Sequence, residues 1–340
     1  MNKSDKIFIA GAAGMVGSAI VRNLAAKGFT NLVGSYHSKR LDELDALPIK
    51  LVQIDLKNQK DVSDFLKAEK PSYVFLAAAR VGGIHANNTY PAQFIYDNLV
   101  MQNNIINSGY ENEVKRLLFL GSSCIYPKQA PQPMKEEHLL TGILEPTNEP
   151  YALAKIAGIK MCESYNRQYG TRFLAVMPTN LYGINDNFDL ENSHVLPALI
   201  RKFHEAKASG AKEVVIWGTG SPRREFLHVD DMADASVYVM NLKDEIVDKH
   251  FNNYPSPCFV NVGTGTDLTI KELALMVKET VGFDGDLVFD TDKPDGTPRK
   301  LLNVDRLSRL GWTAKILTQQ GIDSTYTWCK KQGVFSGACS

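Results

Sequence analysis

The sequence has few cysteines, and their spacing links none of them to another. Five occur among the 340 residues, an odd number with no CxxC pair. A disulfide framework or a zinc site needs paired cysteines at characteristic spacings, so the sequence predicts neither, and no metal is expected. Scarce, unpaired cysteines are typical of a reducing compartment, which predicts a cytoplasmic protein.

Long hydrophobic runs and an excess of one charge are also absent. No apolar stretch approaches the ~20 residues that a membrane span needs, and glycines interrupt the apolar start of the chain too early for a signal peptide. The 38 acidic and 38 basic side chains balance, so no overall field attracts nucleic acid or an anionic membrane. We expect neither as a partner.

What the sequence does have is a regular alternation of short apolar segments with helical ones. The predicted strands are 6–10, 31–35, 51–54, 73–77, 116–121 and 173–177. The predicted helices are 14–27, 59–69, 91–110 and 151–169. Such alternation is typical of a parallel sheet whose crossover helices cover both faces. The predicted fold class is therefore α/β, with a doubly wound parallel sheet.

A glycine-rich turn joins the first predicted strand to the first predicted helix. Gly11, Gly14 and Gly17 form a G-x-x-G-x-x-G pattern there. Glycine allows a tight turn and lets a pyrophosphate approach the N–H groups at the start of the helix. This position predicts a dinucleotide cofactor. The cofactor contacts expected in the loop are Gly11, Ala12, Ala13, Gly14, Met15, Val16 and Gly17.

The end of the second strand indicates which dinucleotide binds. A carboxylate there would hold the ribose 2′-hydroxyl of NAD, but this segment has hydroxyls and cations instead. Lysine and arginine suit a dianionic 2′-phosphate, so we expect NADP. The residues expected to contact this part of the cofactor are Ser35, His37, Ser38, Lys39 and Arg40, and Asp55 and Leu56 are expected near the adenine.

A serine, a tyrosine and a lysine supply the catalytic pattern. Tyr151 and Lys155 form Y-x-x-x-K, a spacing that puts both side chains on one face of a helix. Ser122 follows the fifth predicted strand, at the carboxyl edge of the sheet. A lysine beside a phenol is expected to lower the pKa of that phenol, so Tyr151 is expected to exchange a proton with a carbonyl oxygen.

Together these features resemble the extended short-chain dehydrogenase/reductase superfamily. More specific segments are ARVGGI (79–84), GSSCIYP (121–127), NEPY (148–151), PTNLYG (178–183), NSHV (192–195) and WGTG (217–220). They make residues 6–333 similar to the enzymes of that superfamily that produce GDP-L-fucose. The resemblance implies a Rossmann domain over residues 1–180, with a return near 226–242. It also implies a smaller, mainly substrate-binding lobe over 181–333, and a homodimer.

The resemblance further implies an activity. Such enzymes invert C3″ and C5″ of GDP-4-keto-6-deoxy-D-mannose and reduce C4″ with NADPH. Cys124 is then the expected base and His194 the expected acid, while Ser122 and Tyr151 bond the sugar oxygen. Further expected cofactor contacts are Leu120, Gly121, Ser122, Ser123, Lys155, Pro178, Thr179, Asn180, Leu181 and His194. Expected substrate contacts are Asn180, Lys202, Trp217, Arg224, Asp295 and Lys300.

One departure and several alternatives accompany this prediction. Many relatives carry a basic residue in the glycine loop where this chain has Ala12 and Ala13, which shifts the 2′-phosphate contact to residues 35–40. An enzyme making GDP-L-colitose would use the same residues. A 4,6-dehydratase is disfavoured because Ser123 and Cys124 replace the acidic pair that elimination needs, and a 4-epimerase would not need Cys124 and His194. A non-catalytic NADP-sensing protein typically loses the tyrosine or the lysine.

Overall fold

The structure, a computed structural model, describes residues 1–190, 192–293 and 295–335. Its strands are β1 (Ile7–Ala10), β2 (Leu32–Tyr36), β3 (Ile49–Gln53), β4 (Tyr73–Leu76), β5 (Arg116–Leu120), β6 (Phe173–Pro178), β7 (Asn180–Tyr182), β8 (Glu213–Trp217), β9 (Arg223–Arg224), β10 (Phe226–His228), β11 (Phe259–Val262), β12 (Leu268–Thr269), β13 (Asp286–Asp290) and β14 (Arg299–Lys300). Its α-helices are α1 (Met15–Ala26), α2 (Gln59–Glu69), α3 (Ile84–Thr89), α4 (Pro91–Glu111), α5 (Glu149–Tyr169), α6 (Val195–Ser209), α7 (Val229–Met240), α8 (Asp244–His250), α9 (Ile270–Val281), α10 (Asp305–Arg309) and α11 (Thr318–Lys331).

Seven parallel strands form the central sheet, in the order β11-β6-β5-β4-β1-β2-β3. The six predicted strands and four predicted helices are all present, and their ends differ from the prediction by at most two residues. The doubly wound α/β class is thus confirmed. Strand order reverses between β1 and β4, and ligands of such sheets bind in the crevice at the carboxyl ends of these strands.

Both faces of the sheet are covered, which explains why its strands are continuous apolar runs. Along β1 the side chains of Ile7 and Ile9 join one core with α1 and α7. Those of Phe8 and Ala10 join the other core, with α2, α4 and α5. Helix α7 lies against α1 and is tied to it by the Arg22–Asp230 and Lys27–Asp234 ion pairs, at 3.0 and 2.6 Å.

The chain re-enters this sheet late. Strand β11 pairs with β6, with Val260 opposite Val176. The sequence analysis did not assign this strand, because so short a segment, with the polar Asn261 inside it, gives little periodicity to recognise. Consequently the β6 edge of the sheet is covered by a segment from much later in the chain.

A third core lies away from the sheet, between α6, α9 and α11. Phe203, Leu273 and Ile322 are fully buried in it. Beside it run the parallel pair β8–β13 and the small sheet β12-β9-β14. In this small sheet residues 223–224 lie next to residues 299–300. Within the described ranges no helix is long and apolar enough to cross a membrane.

Candidate active site

The glycine loop has the close packing that a dinucleotide turn requires. Gly11 has φ of +84°, and a Cβ placed on it would meet the Ala78 backbone at 2.8 Å. A Cβ on Gly17 would lie 2.0 Å from the Gly11 carbonyl oxygen. Only glycine fits at both positions. The turn leads directly into α1, whose first N–H groups face the end of the loop.

Ser35 holds this loop in place. The Gly11 N–H donates to Ser35 Oγ at 3.0 Å, and the Ala12 N–H donates to the Ser35 carbonyl at 2.8 Å. The Ser35 side chain is buried. Its hydroxyl therefore supports the cofactor loop, and it is less available to a 2′-phosphate than its place in the sequence suggested.

The predicted 2′-phosphate segment, residues 37–40, is exposed. Within it, the Arg40 guanidinium is bound by Asp42 at 3.2 Å and Asp45 at 2.5 Å. Lys39 makes no hydrogen bond or ion pair with any residue that the structure describes. Arg40 is thus partly neutralised by the carboxylates that follow it, whereas Lys39 keeps its full charge. His37 and Asp55 line one cavity together with Ile54.

Ser122, Cys124 and Tyr151 meet at the carboxyl end of β5. Ser122 Oγ accepts the Cys124 N–H at 3.4 Å, and the Ser122 side chain also interacts with the Tyr151 phenol. Burial, together with Cys124, raises the pKa of Tyr151 well above its usual value, and Ser122 offsets only part of this. Tyr151 therefore remains protonated near neutral pH.

Lys155 is buried beneath this cluster. Its Nζ donates to the Leu120 carbonyl at 2.8 Å and lies 5.7 Å from the centre of the Tyr151 ring. Burial lowers the pKa of the Lys155 amine to about 8, while Cys124 opposes the shift. The pKa of Tyr151 is therefore raised overall and not lowered as expected, because burial of the phenol outweighs the effect of Lys155, whose amine is directed at a carbonyl.

The surroundings of Cys124 shift the pKa of its thiol in opposite directions. Burial raises its pKa, and Ser122, Lys300 and Lys155 lower it in part. The neutral thiol therefore predominates near pH 7. The lysine pair supplies the positive charge that a thiolate would need. Lys300 was expected only as a substrate contact, and the structure brings it close to Cys124.

His194 lies apart from that cluster, at the residue before α6. The residue is exposed to solvent, yet the protein around its ring partly desolvates it and lowers its pKa below the usual value. The adjoining loop contacts Gly83, whose N–H donates to the Asn192 carbonyl at 3.0 Å. Among the described residues, no hydrogen bond joins His194 to Cys124 or Tyr151. The two residues of the predicted acid–base pair thus come from different segments and are not hydrogen-bonded to each other.

Two cations are neighbours in the small sheet. Arg224 on β9 and Lys300 on β14 are register partners, and so are Arg223 and Arg299. The second pair is neutralised by Asp267, which accepts hydrogen bonds at 2.9 and 2.5 Å. Arg224 has no ion pair within the described part of the chain, and neither has Lys300. Burial lowers the pKa of both side chains. Two adjacent, poorly compensated cations form a site for an anion.

The other predicted substrate contacts continue from this pair. Asp295 lies near Arg224 and accepts hydrogen bonds from the Thr219 N–H at 2.9 Å and from its hydroxyl at 2.7 Å. Trp217, two residues before Thr219, is 67 % exposed, and the Lys202 amine lies 5.5 Å from its ring. An exposed indole beside a cation is suited to packing on a base or sugar.

The segment after β6 joins the sheet to these elements. Thr179 Oγ1 and Asn180 Nδ2 donate to the Glu225 carbonyl, at 3.1 and 2.8 Å. Pro178 ends β6 and Leu181 lies in β7. The neighbouring Gly121 N–H donates to the Val176 carbonyl at 2.9 Å, placing Leu120 to Ser123 beside the same edge. Sequence reasoning missed Glu225, since an isolated acidic residue between two short strands carries no motif of its own.

The fold and this site are those expected of a short-chain dehydrogenase/reductase, and comparison with known proteins leads to the same class of enzyme. The sequence profile of the NAD dependent epimerase/dehydratase family matches residues 7–253, and the chain belongs to that family. A solved structure with 43 % sequence identity, a GDP-mannoheptose C4 reductase from Campylobacter jejuni with NADP bound, matches with a TM-score of 0.84 and covers 97 % of this chain and 99 % of that chain.

Within the family, the chain is similar to proteins named GDP-L-fucose synthase. It is 57 % identical to GDP-L-fucose synthase 1 of Arabidopsis thaliana, over 97 % of this chain and 94 % of that protein. It is 56 % identical to the GDP-L-fucose synthase of Escherichia coli K12, over 95 % of this chain and 96 % of that protein. It is 39 % identical to a GDP-L-colitose synthase of Yersinia pseudotuberculosis, over 94 % of this chain and 96 % of that protein. The resemblance seen in the sequence motifs is confirmed.

Proposed function

We propose that this chain epimerises C3″ and C5″ of GDP-4-keto-6-deoxy-D-mannose and reduces C4″ with NADPH, giving GDP-L-fucose. The observation that carries the proposal is that the Arg224–Lys300 pair lies close to the Ser122–Cys124–Tyr151 cluster. Lys300 is close enough to Cys124 for its charge to lower the pKa of the thiol. A proton-transfer centre therefore adjoins an anion site, as a nucleotide-linked sugar requires.

The residues of the glycine loop fit a dinucleotide. The space that a Cβ on Gly11 or Gly17 would fill is taken by backbone, so the loop can curl tightly against the start of α1. Residues 11–17 would hold the pyrophosphate, and residues 37–40 the 2′-phosphate. NADPH, when bound, supplies the hydride that reduces C4″.

Cys124 and His194 remove and deliver the protons at C3″ and C5″ of the sugar. Inversion beside a ketone needs a base on one face of the sugar and an acid on the other. Cys124, once ionised next to Lys300 and Lys155, removes the proton. His194 delivers one from the opposite segment. Ser122 and Tyr151 donate hydrogen bonds to the oxygen on which negative charge develops.

The proton on the C4″ oxygen is supplied by Tyr151. Its raised pKa keeps the phenol protonated, which is the form a reduction consumes. Lys155 is held against Leu120 beneath the ring, where its positive charge can stabilise the phenolate left behind. Arg224 and Lys300 hold the diphosphate, and Trp217 with Lys202 packs on the nucleotide end.

The direct test is to incubate the protein with NADPH and GDP-4-keto-6-deoxy-D-mannose and to identify the product by NMR. GDP-L-fucose is the expected product. Reduction without inversion would contradict the epimerase assignment, and would instead match the C4 reductase of the structural relative. Preference for the substrate lacking the 3-hydroxyl would favour the GDP-L-colitose alternative.

The cofactor assignment predicts that NADPH binds at least tenfold tighter than NADH, a difference of about 1.4 kcal/mol. Because Asp42 and Asp45 already bind Arg40, Lys39→Ala should narrow this gap more than Arg40→Ala. Dissociation constants from fluorescence titration check both statements. Equal affinities for the two cofactors in the intact protein would refute the assignment.

The diphosphate assignment predicts a contrast between two neighbouring cations. Lys300→Ala should weaken GDP binding by about tenfold or more, since it removes a charge-assisted contact in a partly buried site. Arg299→Ala is the matched control, because Asp267 already neutralises Arg299. Calorimetric titration with GDP measures both. Equal losses in the two variants would place the diphosphate elsewhere.

We further propose that the protein works in the cytoplasm as a homodimer built on α4 and α5. Tyr96 on α4 and Leu153 on α5 are 65 % and 43 % exposed, although both are large and apolar. A second copy would cover them. The division into a cofactor domain (1–180, with the return at 226–242) and a substrate lobe (181–333) belongs to the same proposal, supported by the separate core around α6, α9 and α11.

A further inference from the structure

We propose that Glu225, which lies outside the catalytic and cofactor motifs, is a positioning residue that fixes the diphosphate-binding cations relative to the cofactor end of the cleft. The inference rests on the proposed function, because it concerns how that site is held together. It is carried by the hydrogen bonds of Glu225 and by one close contact.

The carboxylate of Glu225 is fully buried, with 0 % exposure. Oε1 accepts the Gly265 N–H at 2.8 Å, and Oε2 accepts the Leu302 N–H at 3.0 Å. No lysine, arginine or histidine of the described residues forms an ion pair with it. A buried carboxylate without a counter-charge is costly unless its oxygens are hydrogen-bonded. An apolar side chain would leave the N–H groups of Gly265 and Leu302 without an acceptor, so the carboxylate is what ties these two segments together.

The surrounding backbone leaves room for this carboxylate in particular. A Cβ on Gly263 would lie 2.2 Å from Glu225 Oε1. The turn after β11 therefore needs a glycine at that position for the carboxylate to reach Gly265. The carboxylate is thus fitted between two separate segments, the turn after β11 and the chain after β14.

Each group that Glu225 binds is close to part of the proposed site. Arg224 precedes it on β9, and Leu302 is two residues beyond Lys300 on β14. On the other side, its carbonyl oxygen accepts hydrogen bonds from Thr179 and Asn180, in the segment expected to bind the cofactor. One residue thereby connects both cations to the carboxyl end of β6.

The consequence is that Glu225 sets the distance between the diphosphate site and the reacting sugar carbon. A shift of about 1 Å in such an alignment is enough to change reaction rates by as much as ~10². The side chain is buried between the turn after β11 and the chain after β14, so its effect must appear through Arg224 and Lys300.

Glu225→Gln tests this directly. The amide keeps the size of the side chain but turns its NH₂ group towards one of the two N–H donors, so one bond is lost. We expect the Kd for GDP to rise about tenfold while the Kd for NADPH is unchanged. Asp231→Ala is the control for the loss of a buried carboxylate away from the site, because Asp231 is also buried and one of its oxygens accepts the N–H groups of Lys315 and Ile316 at 2.9 and 2.8 Å.

The outcomes separate the inference from the proposed function. If the intact protein binds no GDP, the proposed function fails. If it binds GDP, and Glu225→Gln binds GDP equally well while losing thermal stability, as Asp231→Ala does, Glu225 is only structural and the inference is overturned. Should Glu225→Gln not fold, Gly263→Ala displaces the carboxylate instead, and the same tenfold loss of GDP affinity is expected. Unchanged GDP affinity in that variant also overturns the inference.

Discussion

Replacing Tyr151 with phenylalanine should lower the rate of C4″ reduction by ~10² or more, with the Kd for NADPH unchanged. The substitution keeps the ring that packs edge-on against Phe94 at 6.2 Å and removes the exchangeable proton. Burial raises the pKa of the phenol, so Tyr151 is protonated at neutral pH and can act as an acid. Single-turnover oxidation of NADPH in the presence of the keto sugar measures the step.

Tyr238→Phe is the appropriate control. It also removes a phenolic hydroxyl, one that donates to the Leu310 carbonyl far from the cleft. It should lose stability and leave the rate of reduction near that of the intact protein. A Tyr151→Phe variant that reduces C4″ at the wild-type rate would show that another group supplies the proton, and the catalytic assignment would be wrong.

Most of the fold was predictable because its signals are local. Strand β1, the glycine turn and α1 follow one another directly in the chain, and each apolar run is long enough to be recognised. Strand β11 was not, because its partner β6 lies far earlier in the sequence and nothing in the short β11 segment specifies that pairing. The position of β11 is set by the completed sheet.

The candidate site likewise has residues that local sequence predicts and residues that only the tertiary structure brings together. Ser122, Tyr151 and Lys155 stand at fixed spacings on elements that the sequence already predicts. The pairing of Arg224 with Lys300 depends on two short strands that are distant in the sequence, and therefore on tertiary structure. Likewise the direction of the Tyr151 pKa depends on how deeply the ring is buried, which residue spacing does not show.

The sequence does not reveal the ion pairs of Arg40. It predicts Arg40, like Lys39, as a phosphate ligand, and the short helical turn after Arg40 brings Asp42 and Asp45 onto its guanidinium. Both carboxylates are visible in the sequence. Their contact with Arg40 depends on the turn conformation, which was not assigned beforehand.

The variants Cys124→Ser and His194→Gln should separate epimerisation from hydride transfer. In D₂O, the intact protein should exchange the hydrogens at C3″ and C5″ of the keto sugar, and both variants should do so at least ~10²-fold more slowly. Serine keeps the size of Cys124 but is a far weaker acid than a thiol of pKa ~8.5, so almost no anionic base remains. NADPH binding should be normal in both.

Cys258→Ser is the matched control for the loss of a buried thiol. Its sulfur donates to the Ile159 carbonyl at 3.6 Å, further along α5 than Lys155, and hydrogen exchange should be unaffected. With NADPH present, the Cys124 and His194 variants should release reduced sugar that is not fully inverted. Wild-type exchange together with correctly inverted product in both variants would mean that these residues are structural.

The pH dependence of exchange tests the identity of the base independently. Burial raises the pKa of Cys124, so only a small fraction is thiolate at pH 7, and that fraction grows as the pH rises. Exchange catalysed by the intact protein should therefore accelerate with pH above neutrality. Burial lowers the pKa of His194, so its protonated form is already scarce there, and an acid-limited step would slow over the same range. A rate that climbs with pH, and loses that climb in Cys124→Ser, identifies the thiolate as the base. A rate that falls instead would assign the limiting proton transfer to His194, and a rate that climbs equally in Cys124→Ser would show that another group is the base.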